Sequence, residues 1–404
     1  MKKEHLVIIG AGMAATRLVG ELVARAPARY EITLIGEEQA LPYNRVLLSS
    51  VLAKEASLDD VVLKPAQWWR DAGVTRIAGR KALRIEPGTR RVILAGGEAL
   101  SYSKLVLATG SRAATLPVEG IDLPGVHAFR DLDDVRALGA LGSARRRVVT
   151  IGGGLLGLEA AYGLARLGAE SMLLHVVDRL MERHLDAEGA ALLRRLVEEK
   201  GVRVRLGVQT TRIFGRDRVE GVECADGRLV QADAVVFAVG IRPNAELAGE
   251  AGLDVGRGVV VDDGLMSNDP NIFAIGECAE HRGQCYGLVA PAYEQARVLA
   301  ARLAGAEAVY EGSVVSTNLK VSGVRVFSAG DYLGGAAASR IVCSDSRMGV
   351  YRKLVTEGDR LTGAILIGDT SGAQGYLELI RTGADVSAMR NELMFDISSL
   401  KEAA

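Results

Sequence analysis

Two glycine-rich patterns in the sequence have the spacing of turns that bind the pyrophosphate of a dinucleotide. Each follows a short apolar run, LVIIG in the first case and RVVTIG in the second, and each precedes an Ala/Leu-rich segment. The first glycine permits a tight turn, the second lets the backbone approach the pyrophosphate, and a small third residue lets a helix pack closely on a strand. The N–H groups and dipole of the helix N-terminus then face the phosphates. The residues expected at the turns are Gly10, Gly12, Ala14 and Ala15 in the first, and Gly152, Gly154, Leu155 and Gly157 in the second.

Two such patterns predict two dinucleotides, a flavin at one turn and a nicotinamide coenzyme at the other. The alternatives are a glycine turn of another α/β fold, or a duplicated unit that binds one ligand.

The residue that would contact the adenosine ribose differs between the two patterns. Glu37 ends the run EITLIGE, about 20 residues beyond the first turn, where a carboxylate accepts hydrogen bonds from ribose hydroxyls. His175 stands at the corresponding place of the second pattern. A carboxylate accepts from the 2′-hydroxyl and repels a 2′-phosphate, whereas a histidine does neither strongly and, when protonated, could attract the phosphate. We therefore expect a weak or unusual choice between NADH and NADPH, with NADH favoured because the rest of the motif is typical of NAD sites.

Three further apolar runs end in a glycine, where a cofactor can approach the backbone. The residues at these strand ends are Ala108, Thr109 and Gly110 in KLVLATG, Gly240 in AVVFAVG, and Gly276 and Glu277 in NIFAIGE.

The elements that position these residues are alternating strands and helices in a chain of 404 residues, which predicts two to three α/β domains. A net charge of -1 argues against a nucleic-acid or membrane-surface partner. The four cysteines contain no C-x-x-C pair, as is typical of a reducing compartment, and no run is apolar enough to span a bilayer. The MKK start followed by an apolar run could also be a short signal peptide, but the glycine motif explains the same residues, so we expect a cytoplasmic protein.

The motif order GxGxxA, ATG, GxGxxG, GxRP and GEC resembles that of the two-dinucleotide FAD/NAD(P)H flavoprotein reductases. The similarity is strongest to the FAD-containing N-terminal part of the NAD(P)H-dependent nitrite reductase large subunit, through LPYNRVLLSS, GGGLLGLEAA, LMERHLDAEGAALLRRL and AIGECAEHRGQCYGLVAPAYEQA. Rubredoxin reductases and oxygenase-coupled ferredoxin reductases resemble it more distantly.

This resemblance implies an α/β fold with two Rossmann-like dinucleotide-binding domains and a C-terminal α+β domain. The FAD domain would comprise residues 1–112 and 241–312, the NAD(P)H domain 113–240, and the C-terminal reductase domain 313–404. The Pro/Gly-rich stretches LPVEGIDLPG and GIRPN agree with chain crossings between domains.

The resemblance also implies roles for four further residues. Pro291 would begin a helix whose N-terminus faces the flavin, and Glu159 would lie beside the nicotinamide carboxamide. Arg45 would bind the phosphates or ribose of FAD, and Lys320 would reach the flavin from the C-terminal domain. The alternatives are, in the same order, an ordinary core helix, a charge that favours a helix N-terminus, a solvated loop arginine and a solvated strand lysine.

Cysteine chemistry is not expected. Where disulfide reductases carry redox cysteines, this chain has Ser49 and Ser50, and hydroxyls cannot replace thiolates in dithiol exchange. The spacing of Cys278 and Cys285 fits neither a redox pair nor a zinc site, so no metal site is predicted.

The resemblance therefore predicts an oxidoreductase that moves hydride from NAD(P)H to FAD and passes electrons to a separate iron–sulfur or haem protein. The expected setting is assimilatory nitrite or nitrate reduction. Because its four cysteines stand in different elements, the chain alone is not expected to reduce nitrite to ammonia. Alternatives are an NADH:rubredoxin or ferredoxin reductase of another pathway, and a non-catalytic flavoprotein redox sensor.

Overall fold

The computed structural model describes residues 3–314, 316–321, 323–390 and 392–394, except for the side chains of residues 318–321. Strands and helices are numbered here in chain order. The chain divides into two compact units, which consist of Met1–Leu48, Ala56–Arg112 and Ile241–Ser313 in the first, and Ser49–Glu55, Ala113–Gly240 and Val314–Ala404 in the second. The three-domain boundaries given above stay a prediction.

A five-stranded parallel sheet forms the centre of the first unit. In spatial order its strands are β19 (Ile272–Ala274), β7 (Lys104–Leu107), β1 (Glu4–Ile9), β2 (Tyr30–Gly36) and β3 (Thr75–Ala78). β1, β2 and β7 are largely buried, because helices cover a parallel sheet on both faces. This explains why their sequences are continuous apolar runs rather than alternating ones.

Helices and small sheets complete the first unit. Its helices are α1 (Met13–Arg25), α3 (Ala66–Asp71), α7 (Glu246–Glu250) and α8 (Val289–Leu303). One small sheet is antiparallel and consists of β4 (Ala82–Glu86), β5 (Arg91–Leu94) and β6 (Ala99–Ser101). Two further sheets have two strands each: β8 (Ser111–Ala113) with β17 (Ile241–Pro243), and the parallel β18 (Val259–Val261) with β20 (Ala279–His281). α1 and α8 pack against each other.

The second unit contains another five-stranded parallel sheet. Its strands in spatial order are β12 (Arg203–Arg205), β11 (Glu170–Leu174), β10 (Arg147–Ile151), β16 (Ala234–Phe237) and β9 (Val126–Ala128). The accompanying elements are α2 (Leu48–Leu52), α4 (Leu132–Ser143), α5 (Leu155–Arg166), α6 (Ala187–Glu198) and the antiparallel β13 (Thr210–Phe214), β14 (Gly221–Cys224) and β15 (Leu229–Gln231).

The two parallel sheets share one arrangement of four strands, β3-β2-β1-β7 in the first and β12-β11-β10-β16 in the second. They differ in the fifth strand, because β19 follows the other four along the chain whereas β9 precedes them. In each, the strand before the glycine pattern, β1 or β10, lies in the middle, between the strand that follows the glycine helix and a strand that returns later. Each unit also adds a three-stranded antiparallel sheet whose first strand carries a register shift near its start. The sequence-based prediction of two Rossmann-like units is therefore confirmed.

The C-terminal part of the second unit is an antiparallel sheet with one helix. Its strand order is β21 (Ser316–Val321), β22 (Val324–Gly330), β25 (Arg360–Ile367), β24 (Val350–Glu357) and β23 (Ser339–Asp345), and α9 (Ala373–Thr382) contacts β22 and β25. This is the predicted α+β arrangement. Within the described segments, no helix has both the length and the apolar character that a membrane span requires.

Candidate cofactor sites

The first glycine pattern forms the turn between β1 and α1. Gly10 has a φ of +107°, and a Cβ atom there would lie 2.1 Å from the Ala108 carbonyl oxygen. Gly12 is the N-cap residue of α1, and no protein atom lies within 4 Å of a Cβ built on it. Ala15 is fully buried beneath the turn. The backbone therefore leaves space for a ligand at Gly12 but not at Gly10.

The second pattern repeats this geometry between β10 and α5. Gly152 has a φ of +119°, and a Cβ atom there would lie 2.2 Å from the Ala238 carbonyl oxygen. Gly154 is the N-cap residue of α5, again with no protein atom within 4 Å of a built Cβ, and Leu155 begins the helix. At Gly157 a Cβ would lie 1.9 Å from the Gly152 carbonyl oxygen, so the third position must be glycine for helix and strand to pack.

Helices α4 and α6 of the second unit begin with a side-chain cap, whereas α1 and α5, like α9, do not. The Asp131 and Asp186 side chains cap α4 and α6 by accepting backbone N–H hydrogen bonds. α1 and α5 have no side-chain cap, so their first N–H groups keep their capacity to donate. Uncapped N–H groups beside a glycine with free space fit a pyrophosphate.

Two acidic residues follow β2, and they differ in exposure and in their hydrogen-bond partners. Glu37, the predicted ribose ligand, is 70% exposed and lies 3.7 Å from Lys81 Nζ. The neighbouring Glu38 accepts a 2.7 Å hydrogen bond from the Tyr43 hydroxyl and pairs with Arg45, whose guanidinium also lies over the Tyr43 ring. Arg45 is thus held in place by Glu38 and Tyr43. The ligand roles of Glu37 and Arg45 stay predictions.

The ATG and GIRPN motifs are joined by a reciprocal set of hydrogen bonds. The Thr109 hydroxyl donates to the Asn244 carbonyl oxygen (2.7 Å), and the Asn244 side-chain amide donates to the Thr109 carbonyl oxygen (3.0 Å). The Asn244 N–H also donates to the Gly110 carbonyl oxygen (2.9 Å). Asn244 was missed by the sequence analysis, because only the fold shows that its motif meets the ATG turn.

Gly240, three residues after the end of β16 in the second unit, has a φ of +119°. Its carbonyl oxygen accepts a hydrogen bond from the Ala114 N–H, so the two chain crossings are joined there as well.

The GEC motif lies against the first glycine turn. Gly276 has a φ of +81°, and a Cβ atom there would lie 3.1 Å from the Ala14 Cβ. Its N–H donates a 2.7 Å hydrogen bond to Oε1 of Gln295, a fully buried residue of α8 that the sequence analysis did not select. Glu277 accepts a 2.9 Å hydrogen bond from the Ser111 hydroxyl.

Helix α8 begins near these residues of the first unit. Pro291 is buried in its first turn, as predicted, and no side chain caps the helix. The ATG, GEC and first glycine turns therefore belong to one region, at the carboxyl ends of β1, β7 and β19, where open parallel sheets bind ligands.

Glu159 lies on α5 and is only 6% exposed. Burial raises the pKa of its carboxyl to about 8, against the effect of a hydrogen bond with Ser49. At neutral pH the carboxyl is therefore mostly protonated, and it can both donate and accept hydrogen bonds, as recognition of an amide group requires. The role of Glu159 beside a nicotinamide stays a prediction.

His175 follows β11 and is buried against the second glycine turn. Its Nδ1 accepts a 3.0 Å hydrogen bond from the Gly153 N–H, and its Nε2 lies 3.1 Å from Glu182 Oε2. Both ring nitrogens are therefore occupied by groups of the protein. The place of His175 at a coenzyme site stays a prediction. Glu182 could not be predicted from the glycine motif, because it stands seven residues beyond the position where the motif has its acidic residue.

The remaining candidates are Lys320 and the cysteines. The side chain of Lys320 lies outside the described residues. All four cysteines are free: Cys224 and Cys278 are buried, Cys285 is partly exposed and Cys343 is exposed. Burial raises the pKa of the first three thiols. In the described part of the chain, no three His, Cys, Asp or Glu side chains group in a way that could hold a metal ion.

Two parallel sheets with the same four-strand core, each with a glycine turn that is open at the start of an uncapped helix, are typical of two-dinucleotide oxidoreductases. Residues 4–308 match the model of the pyridine nucleotide-disulphide oxidoreductase family, and residues 316–384 match that of the rubredoxin NAD+ reductase C-terminal domain. The chain belongs to the pyridine nucleotide-disulphide oxidoreductase family. The family resemblance inferred from the sequence is confirmed.

Among similar proteins is the nitrite reductase [NAD(P)H] of Bacillus subtilis (strain 168), 43% identical over 96% of this chain and 48% of that protein. The assimilatory nitrate reductase electron transfer subunit of the same organism is 40% identical over 98% of this chain and 51% of that protein. The chain thus spans about half the length of these relatives. The crystal structure of a covalent putidaredoxin reductase–putidaredoxin complex contains a chain with a similar fold. The similarity covers 100% of the present chain and 98% of that chain, with 28% sequence identity and a TM-score of 0.88.

Proposed function

We propose that this chain is an FAD-dependent NAD(P)H oxidoreductase that passes electrons to a separate iron–sulfur or haem protein. FAD binds at the first glycine turn and NAD(P)H at the second. The observation that carries this proposal is a glycine turn that occurs twice, which we call the cradle. In each copy the first glycine, Gly10 or Gly152, packs against the chain after a neighbouring strand, and the second, Gly12 or Gly154, is open to a ligand. The helix that follows, α1 or α5, has no side-chain cap.

The chain's own residues bind and orient the two dinucleotides. A flavin held at the first turn would supply the capacity to take up hydride from the nicotinamide and to release electrons to the partner. Gly12 and Gly154 admit the two pyrophosphates to the N-termini of α1 and α5. Glu159 holds the nicotinamide amide, and the N-terminus of α8 places partial positive charge near the flavin.

The setting that we propose is assimilatory nitrite or nitrate reduction in the cytoplasm, with this chain as the reductase component. The support is the similarity to a nitrite reductase and to a nitrate reductase electron transfer subunit. A ferredoxin or rubredoxin reductase of another pathway is the second candidate, favoured by the likeness to putidaredoxin reductase and by the match of residues 316–384. Thiol-based reduction is disfavoured, because Ser49 hydrogen-bonds Glu159 in the segment where a redox cysteine would stand.

The test is anaerobic turnover of the purified protein. We expect bound FAD, bleaching of the flavin absorbance by NADH, and rapid steady-state reduction of ferricyanide. Stopped-flow mixing with candidate iron–sulfur and haem proteins then ranks the acceptors. A protein that retains no flavin would contradict the proposal, and very slow turnover with every acceptor would indicate the sensor instead.

A further inference from the structure

The peptide of Gly153, in the middle of the second glycine turn, is held from both sides by the segment after β11. Its N–H donates to His175 Nδ1 (3.0 Å), and its carbonyl oxygen accepts from the Met181 N–H (3.0 Å). Met181 is 1% exposed and has a positive φ of 50°. A Cβ atom on Gly153 would lie 2.6 Å from the His175 ring. The ring is therefore fixed directly against the turn.

These contacts determine the tautomer of His175. A backbone N–H can only donate, so Nδ1 must carry a lone pair and the ring proton must be on Nε2. Nε2–H then donates to Glu182 Oε2, 3.1 Å away. A doubly protonated ring would direct an N–H at the Gly153 N–H, so this arrangement requires the neutral ring.

The Glu182 carboxylate is left with capacity for a ligand. Its side chain is 27% exposed, and in the part of the chain described here His175 is the one hydrogen-bond or ion-pair partner that it has. The nearby Arg179 is paired with Asp178 at 3.1 Å, and Arg183 is exposed. Glu182 is thus a carboxylate with a fixed orientation and an oxygen to spare, one imidazole ring away from the glycine turn.

We propose that Glu182 determines the coenzyme specificity of this site by recognising the 2′ position of the adenosine ribose, and that His175 is the residue that positions it. This inference rests on the proposed function, since it concerns the NAD(P)H site of that reaction. Such a carboxylate accepts a hydrogen bond from a 2′-hydroxyl and repels a 2′-phosphate. His175 stands where such motifs have an acidic residue. In this chain the carboxylate is instead that of Glu182, seven residues further along.

The first test is Glu182→Gln, which keeps size and hydrogen bonding but removes the charge. Because a carboxylate and a doubly charged phosphate repel at short range, we expect the ratio of kcat/KM for NADPH to that for NADH to rise about tenfold, mainly through KM. Calorimetry with 2′,5′-ADP should show a similar gain in affinity, and ADP should bind as before. Glu198→Gln, which removes a charge from the exposed face of α6 in the same unit, is the control and should change neither measurement.

Two His175 variants separate positioning of Glu182 from support of the turn. His175→Asn places an acceptor near Nδ1 and removes the donor to Glu182, so it should shift the coenzyme ratio in the direction of Glu182→Gln. His175→Gln places a donor near Nε2 and removes the acceptor for Gly153, so it should weaken NADH and NADPH binding equally.

Failure of this inference is distinguishable from failure of the proposed function. If wild-type protein oxidises NADH with bound FAD but Glu182→Gln leaves both the kcat/KM ratio and 2′,5′-ADP binding unchanged, the assignment of Glu182 is wrong and the proposed function stands. If the wild type neither retains FAD nor oxidises either coenzyme, the proposed function itself fails.

Discussion

Gly12 is the residue whose substitution tests the flavin site most directly. A built Cβ at Gly12 meets no protein atom, so Gly12→Asp should fold, yet it places a carboxylate where the pyrophosphate is proposed to bind. We expect FAD content after gel filtration to fall from near one per chain to below about a tenth, since a like charge at the helix N-terminus repels the phosphates.

Gly20→Asp is the matched control for Gly12→Asp. Gly20 lies on the same helix, also without protein atoms within 4 Å of a built Cβ, but one to two turns beyond the glycine motif. This variant should retain its flavin. A folded Gly12→Asp protein with full FAD content would show that the site is elsewhere.

Glu159 should give the protein a recognisable dependence of stability on pH. Its pKa of about 8 in the folded state lies above the value of about 4.3 for an unfolded chain. Between these two values the folded state keeps a proton that the unfolded state has released, so the free energy of unfolding falls as pH rises, by up to about 1.4 kcal/mol per pH unit. Above pH 8 this dependence ends.

Glu159→Gln should remove that dependence while keeping a partner for Ser49. The difference in Tm, variant minus wild type, should therefore grow from pH 5 to pH 8 and then stay constant in thermal scans. Glu198→Gln, at an exposed position of the same unit, should give a small difference that does not change with pH. A Glu159→Gln difference that is equally flat would contradict a raised pKa.

At the scale of elements, Asp186 connects helix α6 to strand β24. Its carboxylate caps α6 at Gly189 N–H (3.0 Å) and accepts hydrogen bonds from Tyr351 Oη (2.8 Å) and Lys353 Nζ (2.8 Å). Burial would raise the pKa of Asp186, but these donors outweigh it and hold the pKa below its ordinary value. The Lys353 side chain is only 8% exposed.

We predict that Asp186→Asn destabilises the protein by about 3 kcal/mol, since it keeps the cap but leaves a buried ammonium without its counter-ion. Asp186→Asn combined with Lys353→Met should recover most of this loss in chemical denaturation. The exposed pair of Arg194 and Glu198 is the comparison, because Glu198→Gln should cost no more than about 0.5 kcal/mol. Equal losses for Asp186→Asn and Glu198→Gln would contradict the role of the buried pair.

The sequence was sufficient for the elements that depend on local rules. Apolar runs, glycine spacing and small helix residues predicted β1 with α1 and β10 with α5, because strand burial and turn conformation restrict each residue type. Proline at position 291 likewise indicated the first turn of α8.

Contacts between distant segments could not be predicted in this way. Asn244 meets Thr109, Gln295 meets Gly276, and Lys353 meets Asp186 only because the chain returns to the same sheet edge or helix end. The position of Glu182 depends on the course of a loop that no periodic pattern describes. Asn244 and Gln295 hold the turns after β7 and β19, and the Asp186–Lys353 pair joins α6 to β24, so the sequence indicated the candidate sites but not the contacts that hold them.

At the scale of the whole molecule, the duplicated sheets explain why one chain carries the same motif twice. The same backbone hydrogen bond occurs in both sheets. The Ala108 N–H donates to the Ile9 carbonyl oxygen (2.8 Å), and the Ala238 N–H donates to the Ile151 carbonyl oxygen (2.9 Å). Two copies of one glycine turn are what the two proposed dinucleotide sites require. Chemistry beyond hydride and electron transfer would need further groups.

Nitrite reduction to ammonia is such a chemistry, and we predict that this chain alone does not perform it. An iron–sulfur cluster usually takes four cysteine thiolates. Cys278 and Cys285 belong to the first unit, whereas Cys224 lies in β14 and Cys343 in β23 of the second. Within the described residues no set of side chains is grouped as a metal site.

The measurement is an anaerobic assay of the homogeneous protein with NADH and nitrite, in parallel with ferricyanide as the control acceptor. Rapid ferricyanide reduction without ammonia is the expected result, because the two cradles support transfer from NADH to a flavin and onward to an outside acceptor. Adding the iron–sulfur or haem partner should then restore nitrite reduction in proportion to the amount added. Stoichiometric ammonia from this polypeptide alone would show that it is not merely the reductase component of such a system.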